Sequence, residues 1–219
     1  LGSLEPEKIM DDDLDRLASL DKFCPQFHLS LQSGCDKTLN AMRRRYNTDM
    51  YRKVVENIRE FFPEGSITTD IIVGFPGETE EDFEELCEFV KEAKFERFGA
   101  FTYSREEDTP AYNFEDQIDE QVKQDRYDIL MQTQVSVSEA YNESRIGKTY
   151  KVICEGFDPV AEAHVGRSYA EAADIDGKIW FTTPDPALRI AEGEMIDVKI
   201  TEAMDYDLVG EAIIAPYAK

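Results

Sequence analysis

The stretch TTDIIVGFPGETEEDF, residues 68–83, decides the fold because it joins a strand, a tight turn and a capped helix. The apolar run 71–73 is typical of a strand that is covered on both faces. The turn 74–77 is GFPG, and its glycines allow a positive φ or a close approach to a ligand. Thr79 is the predicted N-cap of the helix, with Asp82 completing a capping box. Such strand–turn–helix units often bind ligands, although the pattern also fits an ordinary connection.

Short apolar strands alternate with helices from about residue 22 to residue 145. The predicted strands are 27–31, 67–73 and 97–103, and the predicted helices are 36–42, 48–62 and 80–93. A polar loop, 104–117, follows the third strand. Alternation of this kind predicts an α/β fold, with a parallel sheet and helices outside it.

A long helix is predicted from a cap at Asp119 to about Arg145. Its predicted buried stripe is Val122, Arg126, Ile129, Leu130, Thr133, Val137 and Tyr141. After Gly147 the pattern changes to short strands punctuated by glycines. These strands are 150–154, 163–168, 178–181, 195–201 and 208–214. No long helix intervenes, so the sequence predicts a small antiparallel five-stranded β-barrel.

The composition excludes some classes of partner. The chain has 219 residues and a formal net charge of −23, which repels nucleic-acid phosphates and attracts basic proteins. No apolar run approaches the roughly 20 residues that span a bilayer, so no membrane partner is expected. The start is not a signal peptide, which predicts a cytoplasmic protein. It also lacks a methionine, so we expect a fragment of a longer protein.

The four cysteines are too widely spaced to indicate a metal site. Cys24, Cys35, Cys87 and Cys154 lie 11, 52 and 67 residues apart, whereas zinc or iron–sulfur ligand pairs usually have about two to four residues between them. Cys87 and Cys154 fall on apolar faces and are predicted to be core residues. Reduced thiols in a cytoplasmic protein are the simplest interpretation.

Four motifs, in order and spacing, resemble those of the radical S-adenosylmethionine (SAM) methylthiotransferases. They are HLSLQSG (28–34), the Met-x-Arg at 42–44, TTDIIVGFPGETEEDF (68–83) and FTYSREEDTPA (101–111). The resemblance implies that residues 1–118 are the C-terminal half of a radical SAM (βα) partial barrel. It implies a linking helix at 119–146 and a TRAM domain, an OB-like barrel, at 147–219.

The resemblance also implies cofactors. Enzymes of this family use SAM and two 4Fe-4S clusters to insert sulfur and a methyl group at an unactivated carbon–hydrogen bond. One cluster is held by a C-x-x-x-C-x-x-C loop, which this sequence lacks, and the other by an N-terminal domain. We therefore expect neither cluster to be ligated by this chain, which alone should not catalyse the reaction. No residue of the chain is assigned a catalytic or metal-binding role.

The family motifs imply a set of cofactor-binding residues. These are Gln32, Ser33, Arg44, Asp70, Val73, Gly74, Phe75, Pro76 and Tyr103. Gln32 and Ser33 end a strand and can reach the ribose or methionyl part of SAM, although they also fit a simple strand end. Arg44 suits the SAM carboxylate as a bidentate donor, or is a surface charge.

The other implied roles lie on the next two strands. Asp70 can accept from a ribose hydroxyl, the turn 73–76 would shape the adenine side, and Tyr103 can stack on or bond to the adenosine. Glu78 is interpreted as a helix-start charge. His28 is predicted to be a strand residue with a satisfied partner rather than a metal ligand.

The substrate is less clear from the motifs, because the two halves resemble different branches of the family. LGSLEP and HLSLQSGCDKTLNAM resemble the branch that modifies threonylcarbamoyladenosine in tRNA. GRSYAEAADIDGKIWF (166–181) and YDLVGEA (206–212) resemble the RimO-type branch, which modifies the β-carbon of an aspartate on a small-subunit ribosomal protein. Residues 147–219 carry fourteen acidic and seven basic side chains, a net charge of −7.

This charge favours a basic ribosomal protein over tRNA as the partner. A non-catalytic docking module is a further alternative. Trp180 is either a docking anchor or a core aromatic residue.

Overall fold

The computed structural model describes residues 2–185 and 187–214, and it divides into two compact units, Leu1–Val137 and Ser138–Lys219. The division falls within the long helix. Among the described residues, no helix is both long enough and apolar enough to cross a membrane.

The first unit contains a three-stranded parallel sheet with helices. The strands are β1 Gln26–His28, β2 Ser66–Val73 and β3 Arg97–Thr102, and the helices are α1 Asp11–Ala18, α2 Asp36–Ala41, α3 Thr48–Phe61 and α4 Glu80–Ala93. The long helix α5 is Glu120–Ser144, and only its part up to Val137 belongs to this unit. The sheet order is β1-β2-β3, so β2 is central and pairs with a parallel strand on each side. The predicted α/β class and the alternation of strands and helices are confirmed.

The two faces of the sheet differ because successive residues of a strand point to opposite sides. On one face Phe27, Ile71 and Val73 are fully buried in a core that includes the apolar sides of α3 and α4. On the other face His28, Asp70 and Ile72 are only half-buried, and Phe101 is exposed. The prediction that β2 is covered on both faces holds for its first half, where Ser66 and Thr68 are buried, but not for its second half, where Asp70 and Ile72 are half-buried.

The start of α4 forms as its sequence predicts. The Thr79 hydroxyl accepts from the Asp82 N–H, and the Asp82 carboxylate accepts from the Thr79 N–H at 2.8 Å. This capping box satisfies two donors that a helix start otherwise leaves unpaired. The helix therefore begins one residue after the cap, which sets the length of the turn that follows β2.

The buried side of α5 differs from the predicted apolar stripe. Val122 and Ile129 are exposed, whereas Arg126 and Leu130, two members of the predicted stripe, are buried. The residues buried along the helix are Lys123, Arg126, Leu130, Gln134, Ser138 and Asn142. The prediction is confirmed for Arg126 and Leu130 and is wrong for Val122 and Ile129, because most of the buried side chains of this helix are polar.

The second unit contains a closed five-stranded barrel. Its strands are β4 Thr149–Asp158, β5 Ala163–Arg167, β6 Ile179–Thr182, β7 Met195–Ala203 and β8 Leu208–Ile213, in the order β4-β5-β6-β8-β7. All five predicted strands are present, and Cys154 is in the core as expected. The barrel is not wholly antiparallel, because β6 and β8 pair in parallel. An odd number of strands in a closed ring cannot alternate in direction throughout, so at least one pair must be parallel.

His164 is buried in the second unit, in surroundings that disfavour its protonated form. Its ring stacks on Phe181 with centroids 5.3 Å apart, and its Nε2 accepts from the Ile190 N–H at 2.9 Å. Burial, and then the nearby charge of Arg189, lower the pKa of His164 below its ordinary value. The folded unit therefore disfavours the protonated imidazole.

This lowered pKa predicts a pH-dependent stability of the second unit. As pH falls below about 6.5, the unfolded chain takes up a proton that folded His164 resists, so the free energy of unfolding falls. Trp180, the single tryptophan, lies on β6 and reports unfolding of this unit by fluorescence. We expect the stability difference between the wild type and His164→Gln to shrink from about pH 8 to about pH 5. A difference that stays constant over this range would contradict the assignment.

Candidate functional site

The turn after β2 is shaped by two glycines with positive φ. Gly74 has φ 72° and Gly77 has φ 83°, a region that residues with a Cβ rarely adopt. The Gly74 N–H donates to Glu78 Oε1 at 2.9 Å, and the Gly77 N–H donates to the Asp116 carbonyl at 2.8 Å. The turn is therefore hydrogen-bonded at both ends and holds a fixed shape at the carboxyl end of the central strand.

Lys123 of α5 fills the space beside this turn. Its side chain is 2% exposed, and its Nζ donates to the Tyr103 carbonyl at 3.0 Å and to Glu120 at 2.6 Å. A Cβ placed on Gly74 would lie 2.3 Å from Lys123 Cγ, which is an impossible contact. Glycine is thus required at position 74 both for its φ angle and for the close approach of α5.

Arg126, one turn further along α5, pairs with Glu78. The guanidinium Nη1 lies 2.7 Å from Glu78 Oε1 and 3.1 Å from the Glu78 carbonyl, and both side chains are buried. Burial raises the pKa of the Glu78 carboxyl, while the Gly74 N–H and the Arg126 charge oppose the rise. Glu78 lies at the start of the helix, as its interpretation as a helix-start charge implies, but it is buried and paired with a cation. It links the turn to α5.

An aromatic group lies next to the turn. The Phe75 ring packs edge to face with Tyr103, with centroids 5.3 Å apart, and with Phe114 at 6.1 Å. Pro76 is buried beside it. The Tyr103 hydroxyl is buried and has no hydrogen-bond partner among the described residues. Burying a hydroxyl without a hydrogen-bond partner costs free energy, so this position suits a ligand or a water molecule that bonds to the hydroxyl.

The end of the HLSLQSG motif is pinned to β2. Gln32 has φ 67°, and its backbone donates to the Asp70 carbonyl and accepts from the Ile72 N–H, each at 2.9 Å. Ser33 is buried, and its hydroxyl accepts from the Cys35 N–H at 3.3 Å. Gln32 therefore lies beside β2, whereas the Ser33 hydroxyl is bonded within its own loop, and contact of either residue with SAM stays a prediction.

Arg44 and Val73 make contacts within the protein that limit how each could touch SAM. Arg44 Nη1 donates to Glu5 Oε1 at 3.3 Å, and its buried Nε has no partner among the described residues. The Val73 side chain lies in the core of the first unit, so only its backbone can face a ligand at the strand end. Both remain predictions as contacts to SAM.

Asp70 lies on the uncovered face of the sheet, next to His28. Asp70 Oδ2 is 3.4 Å from His28 Nε2, and the Asp70 side chain is 44% exposed. The prediction that His28 has a satisfied partner is confirmed. Together with the turn and Tyr103, this face presents a carboxylate, backbone groups and aromatic rings around the carboxyl ends of parallel strands, where α/β folds bind ligands.

Sequence analysis missed Lys123 and Arg126 as site-forming residues. Their spacing of three places both on one side of a helix, and charged side chains on a helix usually indicate a solvated surface. Arg126 belongs to the predicted buried stripe of the helix, which is a signal that it faces inward, whereas no sequence signal indicates that Lys123 is buried. Among the described residues, no group of three histidine, cysteine or acidic side chains can hold a metal ion.

The two glycines of the turn give a matched pair of substitutions. Gly77→Ala should lower the free energy of unfolding by about 1–2 kcal/mol, the cost of a positive φ for alanine, since no atom lies within 4 Å of the new Cβ. Gly74→Ala has the same backbone cost, and its new Cβ also clashes with the Lys123 side chain. It should therefore be clearly more destabilising than Gly77→Ala in chemical unfolding followed by circular dichroism. Adding Lys123→Ala should recover part of the difference. Equal losses for the two glycines would refute the contact.

Replacing Arg126 should destabilise the fold, because the buried Glu78 carboxylate would lose its cationic partner. We expect Arg126→Met to lower the free energy of unfolding by about 3–5 kcal/mol, because it leaves a buried carboxylate without its cation. A buried carboxyl with a raised pKa binds its proton more tightly when folded, so the loss should be larger at pH 8 than at about pH 5. The double variant with Glu78→Gln should lose this pH dependence. A pH-independent loss in Arg126→Met would contradict the assignment.

Comparison with known families agrees with the two units. Residues 3–90 match the radical SAM superfamily, and residues 146–213 match the TRAM domain. A solved structure, coproporphyrinogen III oxidase (HemN) from Escherichia coli, described as a radical SAM enzyme, has a TM-score of 0.48 and 21% identity. The likeness covers 64% of this chain and 32% of that one.

Curated relatives match almost the whole chain. Proteins named ribosomal protein uS12 methylthiotransferase RimO are 40% identical over 95% of this chain in Acetivibrio thermocellus and 41% identical over 94% in Clostridium tetani, with 45% of each relative covered. The protein of that name from Thermosipho africanus is 42% identical over 96% of this chain and 47% of its own. The chain spans about half the length of these relatives. The chain therefore contains a radical SAM region and a TRAM region, and almost all of it is similar to part of the proteins named ribosomal protein uS12 methylthiotransferase RimO.

Proposed function

We propose that this chain is part of a methylthiotransferase that adds a methylthio group to the β-carbon of an aspartate on a small-subunit ribosomal protein of the uS12 type. The observation that carries the proposal is the similarity to proteins named for this activity over 95% of the chain. The reaction requires the complete protein, since the chain spans less than half of that relative.

The residues of the first unit fit a role in holding SAM. The buried Tyr103 hydroxyl lacks a partner among the described residues, the Asp70 carboxylate is partly exposed, and the turn after β2 is rigid. SAM bound there would be positioned by Asp70, the backbone of residues 73–76 and Tyr103, with Gln32 at the adjacent strand end.

The iron–sulfur clusters are assigned no ligand in this chain. Cys35, Cys87 and Cys154 are each buried and unpaired, and burial raises the pKa of each of these thiols, which disfavours the thiolate that binds iron. Bound to the rest of the protein, the clusters would supply the reductive cleavage of SAM and the sulfur. The proposal gives this chain the tasks of orienting SAM and engaging the substrate.

Charge supports a basic protein as the substrate. The second half of the chain, residues 147–219, has a net charge of −7. An RNA-binding barrel gains its affinity from cationic contacts with phosphates, whereas an acidic barrel complements a basic ribosomal protein and repels RNA. Trp180 is half-buried on β6 and its indole N–H donates to Asp207 at 2.9 Å, so it offers an outward aromatic surface rather than a core residue. A cytoplasmic location, where ribosomes are assembled, follows from this proposal.

Mass spectrometry of ribosomal proteins tests the proposal. The test expresses a full-length protein, of the same length as the relatives, that contains this chain. Cells expressing it should carry a methylthio group on one aspartate of the uS12-type ribosomal protein. Asp70→Asn should reduce the modification, while Lys53→Met, on the exposed side of α3, should leave it unchanged. Parallel nucleoside analysis of tRNA covers the alternative, because the HLSLQSG region resembles the tRNA branch. A methylthioadenosine product together with unmodified ribosomal protein would overturn the proposal.

A further inference from the structure

Two connections of the second unit meet at one end of its barrel. The β5–β6 connection is residues 168–178, and the β7–β8 turn is residues 204–207. β5 and β7 run in one direction, whereas β6 and β8 run in the other, so both connections leave the barrel at the same end. They touch there, because a Cβ placed on Gly177 would overlap the carbonyl oxygen of Tyr206.

The tips of these two connections alternate aspartate with large apolar residues. The first tip is DID (174–176) and the second is MDYD (204–207), and we call them together the two-loop surface. Its apolar side chains are exposed to solvent, Ile175 by 84%, Met204 by 56% and Tyr206 by 50%. Isolated exposed apolar residues are ordinary, but three large ones on two touching loops, with acidic residues between them, are typical of a protein-binding surface.

Two of the four aspartates give the two-loop surface a fixed shape. Asp207 accepts from the Lys178 N–H at 2.7 Å and from the indole N–H of Trp180 at 2.9 Å. Asp176 accepts from the Ala172 N–H at 2.7 Å. Asp207 therefore ties the β7–β8 turn to the start of β6, and Asp176 closes the loop that precedes β6.

The end of α5 holds the same two connections from behind. Asn142 donates to the Met204 carbonyl at 3.2 Å. Arg145 is 1% exposed, forms a buried ion pair with Glu171 and donates to the Ser168 hydroxyl at 3.0 Å. Because both connections are hydrogen-bonded in place, a partner that binds them loses little free energy to the ordering of loops.

The other two aspartates are available to a partner. Asp174 and Asp205 are exposed, and neither forms an ion pair within the part of the chain that the structure describes. Residues 172–178 and 203–207 together carry four aspartates and one lysine, a net charge of −3. This charge repels the phosphates of RNA and complements lysine and arginine side chains.

We propose that the two-loop surface docks a basic segment of a protein. Apolar side chains of that segment lie against Ile175, Met204 and Tyr206, and its lysines or arginines pair with Asp174 and Asp205. The inference rests on the proposed function, because the protein that it concerns is the uS12-type substrate. It adds which end of the barrel the substrate contacts, and it gives these five residues a role in binding the substrate rather than in the chemistry.

Calorimetric titration of the chain with a purified uS12-type ribosomal protein tests the docking. We expect Tyr206→Ser to weaken binding about tenfold, the usual effect of truncating an aromatic anchor. The double variant Asp174→Asn with Asp205→Asn should weaken binding about fivefold and make it less sensitive to salt, because two solvent-exposed ion pairs are lost. Circular dichroism should show an unchanged fold in these variants, since each altered side chain is exposed.

The opposite end of the barrel supplies matched controls. Val160, 93% exposed, and Glu162 lie between β4 and β5, and Glu192 lies between β6 and β7. Val160→Ser removes an exposed apolar side chain, and Glu162→Gln with Glu192→Gln removes two exposed charges. Both controls should bind the ribosomal protein as the wild type does. Equal weakening by the controls and by the two-loop variants would indicate a nonspecific attraction and overturn the inference.

Further outcomes separate this inference from the proposed function. If the wild-type chain does not bind the ribosomal protein, or binds tRNA through the two-loop surface, the inference is wrong, and mass spectrometry with the longer protein still decides the proposed function. In that longer protein, Tyr206→Ser should raise the KM for the ribosomal protein and leave kcat unchanged. Modification with an unchanged KM would show that the docking assignment is wrong while the methylthiotransferase proposal stands.

Discussion

The alternation of side chains along the central strand β2 is the constraint on which the first unit depends. Ile67, Ile71 and Val73 point into one core and are fully buried, whereas Asp70 and Ile72 point to the opposite side and are half-buried. Pairing with a parallel strand on each edge fixes the register, and a shift by one residue would exchange the two sides. The same strand thus anchors the core and presents Asp70 on the uncovered face.

A second constraint comes from two buried cations on one turn of α5. Lys123 binds the end of β3 and crowds Gly74, and Arg126 neutralises Glu78 behind the turn. Buried charges contribute little net stability compared with apolar packing, but they allow few alternative arrangements, because any shift leaves a charge unpaired. The shape of the turn after β2 is therefore specified by a helix more than forty residues later in the chain.

The second unit depends on a different constraint, the closure of its sheet into a barrel. Its five strands close on themselves, so no strand edge is left open, and the parallel pairing of β6 with β8 completes the ring. Closure fixes which side chains point outward. Trp180 lies on the outer side, and its indole N–H donates to Asp207. The net negative charge of residues 147–219 is likewise a property of the surface, independent of the apolar core.

The sequence by itself determined the order and kind of the elements. Periodicity and capping residues are local signals, so α3, the Thr79 cap, the strand β2 and the five barrel strands were predictable, and GFPG correctly indicated a turn with positive φ. The tertiary structure alone decided which side of α5 is buried, that Glu78 is an inward carboxylate, and that His28 meets Asp70. These depend on contacts between residues far apart in the chain, and a charged side chain looks the same in the sequence whether its partner is water or a buried ion.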